Sequence, residues 1–155
     1  MGYVKSRIQR GHNKRISYVL HDSGHEDRVR VYDYVNDSTL RMIGGIANLV
    51  ISRAGSTIFE IAAWGAPSII IPGDGSVFHG DHQRKNAYAY ARTGACVVLE
   101  EKNVRPNILL SEIERILGGK EIQSSMRAGA KSFADDKSAE RIARELLNIA
   151  LSHEA

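Results

Sequence analysis

Two stretches of this chain gather side chains whose types and spacing suit a phosphorylated, hydroxyl-rich molecule. The first is S-R-A-G-S-T-I-F-E at 52–60, where an apolar strand runs through Ala54, Gly55 and Ser56 straight into a helix. Small residues let a ligand approach the backbone. A helix start offers unpaired N–H groups and the positive end of a dipole, and together these receive a phosphate. The same residues have a structural reading, because Thr57 and Glu60 fit the T-x-x-E capping box. The second stretch is D-H-Q-R-K-N-A at 81–87. In a helix beginning near Asp81, Gln83 and Asn86 share one face of the first turn. Two carboxamides there can each donate and accept, which suits a sugar. Capping by Asp81 with solvated polar neighbours is the structural alternative.

A third loop, L-H-D-S-G-H-E-D-R-V at 20–29, ends a strand in small polar residues that include Ser23 and Gly24. It reads as a turn or as a wall facing a ligand. Other chemistries have less support. His79, Asp81 and His82 match no standard zinc spacing, so no metal site is expected. Cys96, the lone cysteine, lies in an apolar run and reads as a small buried hydrophobe rather than a nucleophile. No G-x-S-x-G elbow occurs.

Short apolar runs alternating with helical patterns must position these loops. Strands are expected at 16–21, 28–35, 48–52, 67–72 and 95–100. Helices are expected at 37–47, capped by Asp37 or Ser38, at 56–65, closed by Gly65, and at 82–93, ending at Gly94. Three further helices follow at 106–117, 120–133 and 138–152, the last with Ile142, Leu146 and Ile149 on one face. Fully apolar strands alternating with helices imply an α/β fold with a doubly wound parallel sheet. Ligands in such folds sit at the carboxyl ends of the strands, where all three loops lie.

The 155 residues suit one domain, spanning 1–155, with 1–15 as a basic segment of its own character. Apolar content of 43% and charged content of 25% are those of a globular protein. The net charge of +3 is concentrated early, with Lys5, Arg7, Arg10, Lys14 and Arg15 unopposed by any acid before Asp22. That segment is a solvated face or an attraction to an anionic surface; no aromatic-interleaved patch points to nucleic acid. Neither a signal peptide nor a membrane span is visible. A cytoplasmic protein is expected, one that could sit peripherally on the inner face of the plasma membrane.

Taken in order, H-D-S-G (21–24), S-R-A-G-S-T-I-F-E-I-A-A-W-G-A-P-S-I-I-I-P (52–72), D-H-Q-R-K-N-A (81–87) and G-A (94–95) resemble the C-terminal half of the MurG family of N-acetylglucosaminyltransferases. The resemblance covers roughly residues 16–150. It implies a GT-B fold, in which two Rossmann-like halves flank a cleft and the C-terminal half binds UDP-N-acetylglucosamine. By that resemblance Glu60 would hold the ribose hydroxyls, and Gly55, Ser56 and Thr57 would receive the diphosphate. The backbone at Val35 would recognise uracil, Gln83 and Asn86 would contact the donor sugar, and Ser23 and Gly24 would lie near the site. The acceptor would be lipid-diphosphate-linked, as in lipid II synthesis, and no metal or other cofactor is implied.

The acceptor-binding half, which would carry the general base and the membrane contacts, is not in this sequence. A partner half in cis or trans is therefore expected, and the chain alone should be inactive. The family's first strand with its Gly-Gly-Ser-x-Gly loop is also unmatched, and residues 1–12 read as the helix that would follow it. A fragment is the favoured explanation and a natural half-enzyme the other. The alternatives in function are a UDP-N-acetylglucosamine epimerase-like half and a non-catalytic nucleotide-sugar-binding subunit.

Overall fold

A computed structural model describes residues 2–5, 29–32, 34–73, 81–135 and 137–152. The chain divides into two compact units, residues 1–43 and 44–155. In the first, strand β1 (Gly2–Lys5) pairs in parallel with β2 (Val29–Tyr32), with Gly2 opposite Val29 and Lys5 opposite Tyr32. The helix expected over residues 1–12 is thus replaced at its start by a strand. Tyr3 and Val4 favour extended backbone, and a parallel partner of matching length supplies the ladder that a helical pattern ignores. The expected strand at 16–21, and Ser23 and Gly24 after it, lie outside the described residues.

Helix α1 (Asp37–Ile46) begins at Asp37, the first of the two residues expected to cap it. Asn36, rather than Asp37 or Ser38, caps it: its Oδ1 accepts the Thr39 N–H at 2.9 Å and the Ser38 hydroxyl at 2.8 Å. The Asn36 carbonyl accepts the Leu40 N–H, so its backbone already opens the helix.

The second unit is built on β3 (Val50–Ser52), β4 (Ser68–Ile70) and β5 (Cys96–Val98), parallel and in that order. Val50, Ser68 and Cys96 stand in register. β4 is central and buried along its whole length, as its continuous apolar run requires. β3 pairs only with β4 among the described residues, and Ile51 is exposed. Helix α2 (Thr57–Trp64) follows β3, and α3 (His82–Ala91) follows β4. Then come α4 (Pro106–Gly118), α5 (Lys120–Phe133) and α6 (Ser138–Ser152). α2 ends at Gly65 in the left-handed conformation, φ 63°, and the turn after α3 uses Gly94 at φ 77°.

Two apolar clusters hold this unit. Ile58, Ile61, Ile70, Ala87 and Tyr90 pack with Ala130, and Phe133 of α5 stacks on Phe59 and tilts against Tyr90. Ile69, Ile116 and Met126 form the second cluster. α5 lies so close to the α3–β5 turn that a Cβ at Gly129 would fall 2.2 Å from the Thr93 carbonyl oxygen. Gly44 has a similar duty: a Cβ there would stand 2.2 Å from Trp64 Cδ2. The glycine pair at 44–45 reads from sequence as a weak helix end, but Gly44 is a contact position and only Gly45 faces open space. α6 buries none of its residues, and Ile142, Leu146 and Ile149 are exposed.

Candidate donor-binding site

Because β3, β4 and β5 are parallel, their carboxyl ends share one edge of the sheet, and the two stretches singled out above meet there. After β3 the chain turns through Arg53, Ala54, Gly55 and Ser56 into α2. Ala54 is fully buried, while Ser56 and Glu60 are exposed. The N–H groups of Ile58 and Phe59 bond back to the carbonyls of Gly55 and Ser56. Those of Ser56 and Thr57 engage no acceptor among the described residues, which leaves the donors a phosphate would need. A Cβ at Gly55 would meet nothing within 4 Å, and its φ is not positive. Neither packing nor backbone strain among the described residues calls for a glycine there.

The capping box expected from Thr57 and Glu60 is not made. Thr57 is already inside the helix, the preceding Ser56 is in the right-handed helical region, and no side chain caps this end. Without an extended N-cap residue, the reciprocal bonds of the box have no geometry to form. The Glu60 carboxylate has no hydrogen bond or ion pair among the described residues. Its position, exposed at the first turn of α2, therefore has no capping explanation.

α3 presents the second wall. Asp81 precedes it without a side-chain cap bond, although its carbonyl accepts the Lys85 N–H at 3.0 Å. Gln83 and Asn86 are half-buried on the inner face, and Arg84 and Lys85 are exposed. Gln83 Oε1 accepts the Gly73 N–H at 2.9 Å, and Asn86 Nδ2 donates to the Ala54 carbonyl at 3.3 Å. Each carboxamide spends one atom on fastening the helix to a strand end and keeps the rest of its hydrogen-bonding capacity.

Three residues absent from the sequence reading complete this edge. Arg53 donates through Nη1 to the Ile71 carbonyl at 3.3 Å and pairs through Nη2 with Glu101. Glu100 accepts the Arg84 Nε–H at 3.1 Å and the Tyr88 hydroxyl at 2.8 Å. That bond to the Glu100 carboxylate holds the Tyr88 phenol above its ordinary value. Little in the local sequence marks these pairs, since their partners lie 12 to 48 residues apart. The Glu100-Glu101 doublet, two residues beyond β5, is their one local mark.

Val35 lies in the first unit, in the link before α1, half-buried beside the exposed Tyr34. Its backbone N–H and carbonyl make no hydrogen bond among the described residues. His82 opens α3 and is exposed, whereas His79 lies outside the described residues. Cys96 is buried, as its apolar setting suggested, and burial pushes its thiol up to about 12. A crease of about 410 Å³ lined by Gly94, Cys96, Arg115, Ser125 and Met126 opens at the amino end of β5, opposite the strand ends described above. Among the described residues, no helix is long and apolar enough to cross a membrane.

A parallel sheet alternating with helices, with its strand-to-helix turns gathered at the carboxyl edge, defines an α/β domain of the Rossmann-like class. Residues 3–142 match the glycosyltransferase family 28 C-terminal domain, and the chain belongs to that family. It is 40% identical over 115 residues to the UDP-N-acetylglucosamine–N-acetylmuramyl-(pentapeptide) pyrophosphoryl-undecaprenol N-acetylglucosamine transferase of Acetivibrio thermocellus, covering 74% of this chain and 30% of that protein. To the enzyme of the same name from Syntrophotalea carbinolica it is 33% identical over 144 residues, covering 84% of this chain and 40% of that protein. The fold matches crystalline Acinetobacter baumannii MurG with a TM-score of 0.76 at 19% identity, over 94% of this chain and 41% of that one. The chain thus spans well under half the length of these relatives.

Proposed function

We propose that this chain is the UDP-N-acetylglucosamine-binding half of an N-acetylglucosaminyltransferase that acts on a lipid-diphosphate-linked acceptor in lipid II synthesis. The observation that carries the reading is the uncapped start of α2. Ser56 and Thr57 N–H groups, an open Gly55 and a Glu60 carboxylate, all without partners among the described residues, stand together at the carboxyl edge of the sheet. The names of the relatives support both the donor and the acceptor.

In this scheme an acceptor hydroxyl attacks the anomeric carbon as the bond to the UDP oxygen breaks, with inversion. The helix N-terminus near Ser56 stabilises the negative charge that grows on the departing diphosphate. Glu60 takes the ribose hydroxyls and the Val35 backbone takes uracil. The free amide atoms of Gln83 and Asn86 orient the sugar so that the anomeric carbon faces the cleft. The scheme uses no metal. The general base and the acceptor contacts come from a second half, in cis or in trans, and the complete enzyme works at the cytoplasmic face of the membrane. On its own the chain is inactive.

Calorimetric titration of the chain with UDP-N-acetylglucosamine, for wild type and Glu60→Ala, tests this reading. Heat with wild type and a large loss with Glu60→Ala support it; no heat with wild type overturns it.

A further inference from the structure

The geometry points to the Glu100-Glu101 doublet as a pair of positioning residues, each fixing one wall of the donor site. This rests on the donor-binding reading above. Glu101 pairs with Arg53, the residue at the root of the Ala54–Ser56 turn, and Arg53 also bonds the Ile71 carbonyl. Glu100, its neighbour, takes both Arg84 and Tyr88 from the outer face of α3. One acid therefore ties down the diphosphate turn and the other ties down the sugar-facing helix.

The base of this clamp is rigid. The Leu99 N–H bonds the Ile70 carbonyl at 3.0 Å and anchors the doublet to the central strand. The 3-10 turn Glu101–Asn103 then locks the two residues, with the Asn103 N–H on the Glu100 carbonyl at 2.8 Å and the Val104 N–H on the Glu101 carbonyl at 3.2 Å. On the inner side, Asn86 links the two walls through the Ala54 carbonyl and Gln83 holds Gly73. α3 is thus fastened to the ends of all three strands: to β3 through Asn86, to β4 through Gln83 and to β5 through Arg84 and Tyr88. Neither acid touches the donor in this arrangement. Each acts through the element it holds.

The two arms act on different parts of the ligand, so they separate in binding. Glu101→Ala frees the diphosphate turn. It should weaken UDP and UDP-N-acetylglucosamine alike, by about two- to fivefold, the range expected for a partly exposed ion pair. Glu100→Ala frees only α3. It should weaken UDP-N-acetylglucosamine by a similar factor and leave UDP unchanged, and Tyr88→Phe should reproduce part of that effect.

The experiment is calorimetry with both ligands on the full chain, with amide hydrogen exchange and thermal melting on the unliganded variants. Faster exchange confined to Ile58 and Phe59, whose N–H groups bond the Gly55 and Ser56 carbonyls, in Glu101→Ala and to Lys85–Ala87 in Glu100→Ala supports the clamp. Unchanged exchange at both segments overturns it. So does a loss of affinity that is equal for both ligands in both variants and tracks a lowered melting temperature. If wild type binds neither ligand, the donor-binding reading fails, and the exchange data alone decide the clamp.

Discussion

Gln83 and Asn86, one helical turn apart on α3, hold two different strand ends: Gln83 accepts the Gly73 N–H after β4, and Asn86 donates to the Ala54 carbonyl after β3. The amides read from sequence as ligand contacts are therefore also the fasteners of their own helix. Substitutions that separate these duties are available. Gln83→Glu keeps an acceptor for the Gly73 N–H and removes the amide donor, so chemical denaturation should show stability within about 0.5 kcal/mol of wild type. Gln83→Met leaves that N–H without a partner and should cost about 1 kcal/mol. Both should weaken UDP-N-acetylglucosamine binding, by about tenfold in titration.

Gly55 and Gly129 make opposite predictions for the same change. A Cβ at Gly55 meets nothing, so Gly55→Ala should leave the denaturation midpoint unchanged or raise stability by about 0.5 kcal/mol. The same methyl would stand where the diphosphate approaches, and UDP affinity should fall by about tenfold or more. A Cβ at Gly129 collides with the Thr93 carbonyl, so Gly129→Ala should destabilise by about 1–3 kcal/mol.

Glu60→Ala isolates the ligand role of that carboxylate. With no capping bond to lose, its melting temperature should match wild type within error, whereas removal of a working cap costs about 1 kcal/mol. Its UDP binding should collapse. A drop in melting temperature with UDP binding intact would return Glu60 to a structural role.

How much of this was legible beforehand follows from the distance between partners. The strands at 48–52, 67–72 and 95–100 and the helices around them emerged within a few residues of their positions, because burial writes its period into local sequence. So did the inner placement of Gln83 and Asn86, a matter of helical spacing. The Asn36 cap was missed by one residue because three consecutive residues could have served. Arg53, Glu100 and Glu101 were missed altogether, since each is defined by a partner on another element. Gly44 has a second role, against the Trp64 ring 20 positions away, that no local pattern shows. The strand Gly2–Lys5 was missed because its identity depends on a partner at 29–32 rather than on its own pattern.

Alkaline pH should unfold this domain through two buried acids. Burial pushes Tyr90, from its usual 10.0, and Cys96, from 9.0, both up to about 12. In the unfolded chain they ionise at the lower values, so above pH 9 the unfolded state holds fewer protons than the folded one and stability falls as pH rises toward 12. The urea midpoint should be flat from pH 7 to 8.5 and decline from there to pH 11. Tyr90→Phe should flatten the upper part of that decline. The Tyr90 hydroxyl interacts with that of Ser68 closely enough to oppose the rise in part, but the two form no well-aligned hydrogen bond, so the change should cost little stability at neutral pH.

The contact between Gly44 and Trp64 has a practical side. Trp64 is the single tryptophan of the chain and ends the helix whose first turn carries Thr57 and Glu60. Thr57 stands seven residues before Trp64, about 10 Å along the helix axis, whereas Glu60 stands four before it, about 6 Å away and on the same face. Its emission therefore reports the seating of α2 against Gly44 and lies within one helical turn of the Glu60 carboxylate. The protein carries its own optical gauge for whether anything bound at one end of α2 is felt at the other.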